Sequence, residues 1–272
     1  MRSRSARGLT QRIIPSAGGQ HTPRRKNASR AHDPPVADRP GPPPGRPCPP
    51  GSGMSPPALG PHDIGRTAYY ALAPDLPVSY CLFVPRTLDR ERPVHLVVAV
   101  HGANRAAEAC RDAFACLAED RNAIVLAPLF PSDPLGDGRG DGYQDLDEGG
   151  LRYDLLLLRM MDKVAARYQV AFSRVALFGV ETGARFAHRF MLRHPRRLSA
   201  AALCAPPAAL DARAAADPEA LRKLAVHLAA SQPELGRPLE DAGVRVEYDT
   251  ARHPLHGEAR SRAFLWRHLA AA

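Results

Sequence analysis

The chain has 272 residues, enough for one α/β domain of ordinary size with an appendage, and a formal net charge of +9. That charge is local. Residues 1–53 hold ten Lys and Arg against two acids, Asp33 and Asp38, so the rest of the chain is nearly neutral and no nucleic-acid partner is expected for the folded part.

Of the 28 prolines, 14 precede Asp63, including the run GPPPGRPCPPG at 41–51. Such a composition cannot bury a core, so residues 1–53 are expected to be a disordered, basic, Pro- and Arg-rich tail and residues 54–272 the folded domain. A basic cluster of this kind can attract nucleic acid or an anionic membrane. However, 34 Arg against 3 Lys, with abundant Ala and Pro, reads as a GC-rich coding sequence. Met54 stands directly before the folded-looking sequence and is a candidate native start, with the tail then read-through of upstream sequence. No run of 18 apolar residues occurs, so no membrane-spanning helix is expected. No signal-peptide core follows the first arginines, and the cytoplasm is the expected location. The five cysteines, Cys48, Cys81, Cys110, Cys116 and Cys204, show no paired metal-ligand spacing. Reduced, mostly buried thiols are expected, with no cofactor and no metal.

In chain order, VSYCLFV between Pro77 and Pro85 reads as a strand. VHLVVAV at 94–100 is a second, running directly into His101-Gly102-Ala103-Asn104. Taken alone, that turn is a plain strand-to-helix connection with Asn104 as N-cap. Ala106, Cys110, Phe114 and Leu117 fall at helical spacing, which predicts an amphipathic helix over 105–120. AIVLAP at 123–128 is a further parallel strand. The long loop 130–150 should lie over the carboxyl ends of the sheet, where open α/β folds bind ligands. Asp137, Arg139, Asp141, Gly142 and Glu148 approach the spacing of a calcium loop, but Arg139 sits where an oxygen ligand belongs and no flanking helix suits an EF-hand. A helix over 153–168 follows, with Leu155, Leu158, Met161 and Val164 as its buried stripe.

Val175 to Phe178 is the continuous apolar run of a central parallel strand. Gly179 and Gly183 bracket the turn after it, with Glu181 between them, and residues 184–194 read as helix up to Pro195. His188 and His194 are then helix residues remote from the turn, with structural roles. Strands follow at 199–204, 223–230 and 244–248. Only 18 residues separate the first two of these. A loop carrying His253 and His256 leads to a terminal helix with Phe264, Leu265 and Leu269.

The run Gly179-Val180-Glu181-Thr182-Gly183-Ala184-Arg185-Phe186-Ala187-His188-Arg189-Phe190 resembles the nucleophile elbow of the α/β-hydrolase superfamily. The similarity is to small bacterial esterase-like hydrolases of the polyhydroxybutyrate depolymerase group, which read close to GFSGGGQFAHRF there. The resemblance covers roughly residues 68–269. It implies a doubly wound, mainly parallel sheet, and the short connection after residue 204 leaves no room for a large cap domain. It also implies that Glu181 stands where the family has its serine. The oxyanion donors would be the backbone N–H groups of Thr182 and of Ala103 or Asn104. His256, 13 residues before Leu269, suits the family's placement of the catalytic histidine better than His253. Glu234, the carboxylate soon after the penultimate strand, would be the acid, although helix starts are also rich in Glu.

A glutamate cannot act as that serine does. Its attack on an ester would give a mixed anhydride, and its charge competes with the oxyanion for the same donors. Ordinary esterase chemistry is therefore expected to be lost or altered. Two alternatives stand beside this: a carboxylate-nucleophile hydrolase acting through Glu181, and a non-catalytic pseudo-hydrolase that binds a small molecule. The sequence marks no oligomer interface.

Overall fold

The computed structural model describes residues 59–250 apart from Asp137, together with 254–269, where side chains are described from Gly257 onward. The basic tail and its candidate start at Met54 lie outside the described residues. So does His253, and of His256 only the backbone is described.

The strands are β1 (Gly65–Arg66), β2 (Tyr70–Ala71), β3 (Ser79–Val84), β4 (His95–Val100), β5 (Ala123–Leu129), β6 (Asp147–Glu148), β7 (Leu151–Arg152), β8 (Val175–Val180), β9 (Leu198–Cys204), β10 (Ala225–Ala229) and β11 (Arg245–Asp249). The helices are α1 (Ala107–Ala113), α2 (Ala115–Asp120), α3 (Tyr153–Tyr168), α4 (Thr182–Arg193), α5 (Pro218–Arg222), α6 (Arg237–Asp241) and α7 (Pro254–Leu269). The main sheet runs β1-β3-β5-β4-β8-β9-β10-β11, with β2 also on β3, and is parallel from β5 to β11. β6 and β7 form a separate small hairpin.

The apolar runs are continuous because each strand supplies both faces of the sheet. Leu96, Val98 and Val100 of β4 join the core with α3 and α4, whereas Val97 and Ala99 pack with Cys110, Phe114 and Phe264 on the other side. After β4 the chain forms β5 on one side, then crosses to β8 on the other. The carboxyl ends of β4 and β8 therefore flank the point where strand order reverses, the usual crevice of an open α/β sheet. His101-Gly102 and Glu181 emerge there.

Two expectations need correction. The helix foreseen over 105–120 is two short helices broken at Phe114, whose ring is 2 % exposed and packs edge-on against Phe178 at 5.3 Å. Seating that ring in the core outweighs helical continuity. In α3, Leu155 is 43 % exposed, and the buried stripe is Tyr153, Leu156, Leu157, Met160, Met161 and Val164. The helix turns this way because Asp154 is buried with its charge answered by Arg152 at 2.7 Å and His194 at 2.9 Å. Burial pushes the Asp154 carboxyl up, but those hydrogen bonds outweigh it and hold it below the usual carboxylate range. Only α5 lies as a helix between β9 and β10, and it has 5 residues, so nothing there forms a large cap.

The elbow is shaped by backbone contact. A Cβ on Gly179 would meet the Gly183 carbonyl, and one on Gly183 would meet the carbonyl oxygens of His101 and Val100. Neither obstacle is a side-chain end that could swing aside. Gly183→Ala is expected to lower the unfolding free energy by about 3 kcal/mol, the upper part of the usual range for overpacking. Urea unfolding checks this, and an unchanged midpoint would show that the turn can relax.

Candidate active site

Glu181 sits between β8 and α4 with φ 53° and ψ −118°, a conformation that costs a non-glycine residue about 1–3 kcal/mol. The surrounding backbone holds it there. Its N–H donates to the Cys204 carbonyl at 2.8 Å, and its own carbonyl accepts from Ala184 and Arg185 at 2.9 and 3.2 Å. The side chain is exposed and lies directly against Gly102, where a Cβ would collide with its carboxyl group. The turns after β4 and β8 thus meet at this carboxylate.

A cavity of about 160 Å³ opens beside it, with Asn104, Cys110, Phe178, Ala205 and Glu258 among its walls. Glu258 was not singled out by the sequence. It stands on α7, two residues beyond His256, and burial raises its carboxyl above the usual range; Arg262 opposes this and the charge of Glu181 adds to it. Its position in a helix full of arginines gave no sign that it faces the elbow. Burial also pushes the Cys110 thiol up to about 12, so it stays protonated.

Thr182 opens α4. Its hydroxyl is 2.7 Å from that of Tyr143, which donates to the His101 carbonyl at 2.9 Å. With that proton committed, Thr182 is the donor between the two hydroxyls. Tyr143 is fully buried, and this contact links the 130–150 loop to both turns of the site. Sequence reasoning did not single it out, because a lone tyrosine in a loop of glycines and acids gives no sign of which turn it braces. Among the described residues neither the Ala103 nor the Thr182 backbone N–H has an acceptor. The Asn104 side chain accepts from the Ala106 N–H at 3.1 Å, a local turn, while Ala106 itself is the N-cap of α1.

Arg105 also has positive φ, 54°. Its guanidinium donates to Ala103 O and Asp141 Oδ1, both at 2.7 Å, and to the Gly140 carbonyl. The turn after β4 is thereby tied to the long loop. Of the calcium-like pattern, Asp137 lies outside the described residues, Asp141 pairs with Arg105, and Glu148 accepts from the Tyr153 hydroxyl at 2.8 Å. Among the described residues no cluster of three His, Cys, Asp or Glu is placed to hold a metal ion.

Glu234 lies exposed in a 3-10 turn (Pro233–Gly236) after β10 and does not line the cavity at Glu181. His188 is buried in α4 and hydrogen-bonded at 3.0 Å to the Asp211 carbonyl, while His194 serves Asp154, both away from the elbow. Cys81, Cys110 and Cys204 are buried thiols and Cys116 is an exposed one. Among the described residues no helix is long and apolar enough to cross a membrane.

No protein-family model matches the chain, and no curated protein sequence does. Solved structures do. The poly(aspartic acid) hydrolase-1 from Sphingomonas sp. KT-1 superposes with a TM-score of 0.59 at 17 % identity, over 75 % of this chain and 99 % of that one. The poly(3-hydroxybutyrate) depolymerase LpqC from Bordetella parapertussis gives 0.57 at 18 % identity, over 77 % and 91 %. The S-formylglutathione hydrolase from Agrobacterium tumefaciens gives 0.54 at 14 % identity, over 75 % and 99 %. With the strand order and the elbow between β8 and α4, these likenesses establish that the chain has the α/β-hydrolase fold.

Proposed function

We propose that this is an esterase-like hydrolase scaffold, with a small molecule as its ligand, in which ordinary serine acyl-ester hydrolysis is lost because Glu181 holds the nucleophile position. The observation that carries this reading is the Glu181 backbone at φ 53° on the elbow, with its carboxylate lying over Gly102 at the turn after β4. In this reading Thr182 and Ala103 or Asn104 supply the oxyanion donors, His256 is the base and Glu234 its acid. A carboxylate parked beside those donors disfavours the oxyanion that ester hydrolysis must pass through. The test compares hydrolysis of a short-chain nitrophenyl ester by the unaltered protein and by Glu181→Ser. Strong hydrolysis by the unaltered protein would refute the reading.

One observation favours a second reading, in which Glu181 is a carboxylate nucleophile. Glu258 lines the same cavity and burial raises its carboxyl above the usual range, the direction that suits a proton donor to a leaving oxygen. Glu181 would displace at an alkyl carbon, as on an epoxide, the ring oxygen taking the bond pair and the Glu258 proton while an alkyl ester forms on Glu181. Incubation with a small epoxide should then give a covalent adduct that peptide mass spectrometry places on Glu181. An unmodified Glu181 with no turnover would exclude this chemistry.

A further inference from the structure

The guanidinium groups of Arg185 and Arg189 stand one turn apart on α4, and both turn toward a single acid, Asp145. Like charges at this spacing repel, so the helix gains nothing intrinsic from the pair. Arg185 reaches Asp145 only at 3.6 Å, and Arg189 also donates to the Gln144 carbonyl at 3.2 Å. Burial depresses the Arg189 guanidinium below its ordinary range, the mark of a cation partly stripped of water.

Beside the two arginines, α4 and the connection after β9 enclose a cavity of about 260 Å³. Leu192, Pro206 and Leu210 give it apolar walls. Its other titratable groups do not cancel the arginines. His188 is neutral: its Nε2 lies 3.0 Å from the Asp211 carbonyl, and burial lowers the imidazole to about 4. Asp211 also lines the cavity, but its carboxylate accepts from the Arg213 N–H at 2.9 Å, lies 3.8 Å from the Arg213 guanidinium and is 62 % exposed, so solvent and Arg213 screen it. Asp145 is half in solvent and not part of the cavity wall. Two cations therefore border a largely apolar chamber, sharing Asp145 at its rim, with the screened Asp211 as the one acid on its wall.

We propose that this cavity binds a small monocarboxylate with a short branched apolar body, its carboxylate on Arg185 and Arg189 and its body against Leu192, Pro206 and Leu210. A planar carboxylate matches the guanidinium fork, and the apolar walls distinguish such an acid from a bare inorganic anion. The site is separate from the cavity at Glu181, which is bordered by Asn104, Cys110 and Phe178. It does not depend on what Glu181 does.

The test is calorimetric titration of the full chain at pH 7 and low salt with 4-methylpentanoate, its neutral amide 4-methylpentanamide, and inorganic phosphate. The acid should bind saturably and the amide about tenfold more weakly or worse, as expected when a charge-assisted contact is lost. Arg185→Gln and Arg189→Gln should each weaken the acid by about tenfold. Asp145→Asn removes the competing carboxylate and should strengthen binding several-fold, an effect opposite to general damage. If Arg189→Gln fails to fold, Arg185→Gln and Asp145→Asn decide the matter. Equal binding of acid and amide, no saturable binding of the acid, or weaker binding in Asp145→Asn would overturn the proposal. Phosphate binding as tightly as the acid would overturn it too, because the apolar body would then contribute nothing.

Discussion

Glu181→Ser is expected to raise hydrolysis of a short-chain nitrophenyl ester by at least about 10³-fold over the unaltered protein. Loss of a triad nucleophile costs on the order of 10⁶ in turnover, so restoring one in an imperfect setting should recover part of that. The backbone favours recovery. Glu181 owes its conformation to the Cys204 carbonyl, to Ala184 and Arg185, and to the two glycine contacts, none of which involves its side chain. Serine can adopt the same φ and ψ, and its shorter side chain vacates the space over Gly102. The N–H groups of Thr182 and Ala103 would then face a developing oxyanion without a competing carboxylate. Silence from both proteins would mean that the site has departed from esterase chemistry at more than one residue, and ligand binding without catalysis would become the stronger reading.

Acid should destabilise the fold steeply between pH 6.5 and about 4 through two buried histidines, His101 and His188. Burial lowers both imidazoles from 6.5 to about 4. In both cases the depressed group keeps its stabilising effect above the unfolded value near 6.5, and that effect is lost as pH falls through the folded value. Each contributes on the order of 3 kcal/mol across that window. His101 has a further reason to stay neutral. Its Nε2 accepts from the Phe130 N–H at 3.1 Å and its Nδ1–H donates to the Gly102 carbonyl at 2.7 Å, so a second proton would set one N–H against another. Nitrogen NMR of the imidazoles should show both rings still neutral at pH 5.5, with the urea midpoint already falling. Titration of either ring near 6.5 would contradict the assignment for that residue.

Much of the fold could be read because its central strands are covered on both faces. Runs such as VHLVVAV and RVALF leave few alternatives, and Gly179 and Gly183 bound the elbow before any backbone is seen. Reading failed where a charge was buried or an aromatic ring chose its tertiary partner. Asp154, outside the stripe that the spacing gave, is buried on α3, and Phe114 broke a helix that its spacing supported. The site was legible only in part for the same reason. Glu181, Thr182 and the His101 turn announce themselves through adjacent glycines. Tyr143 and Glu258 reach the elbow from residues 39 and 77 positions away, and no local pattern encodes such contacts. Glu234 rests on its place in the order of strands alone, since the exposed turn that carries it has no local pattern of its own.

The hydrogen bond from Glu181 to Cys204 bears on how the protein is made. While the ribosome has delivered only β8, the elbow has no carbonyl on its far side, and a residue at φ 53° without that anchor would relax to an easier conformation. The bend becomes secure only when β9 has emerged and joined β8 in parallel register. Parallel pairing of this kind closes long loops and forms slowly. A nascent chain halted before Cys204 should therefore carry helices and apolar strands but no formed elbow, with the exposed edge of β8 open to chaperones.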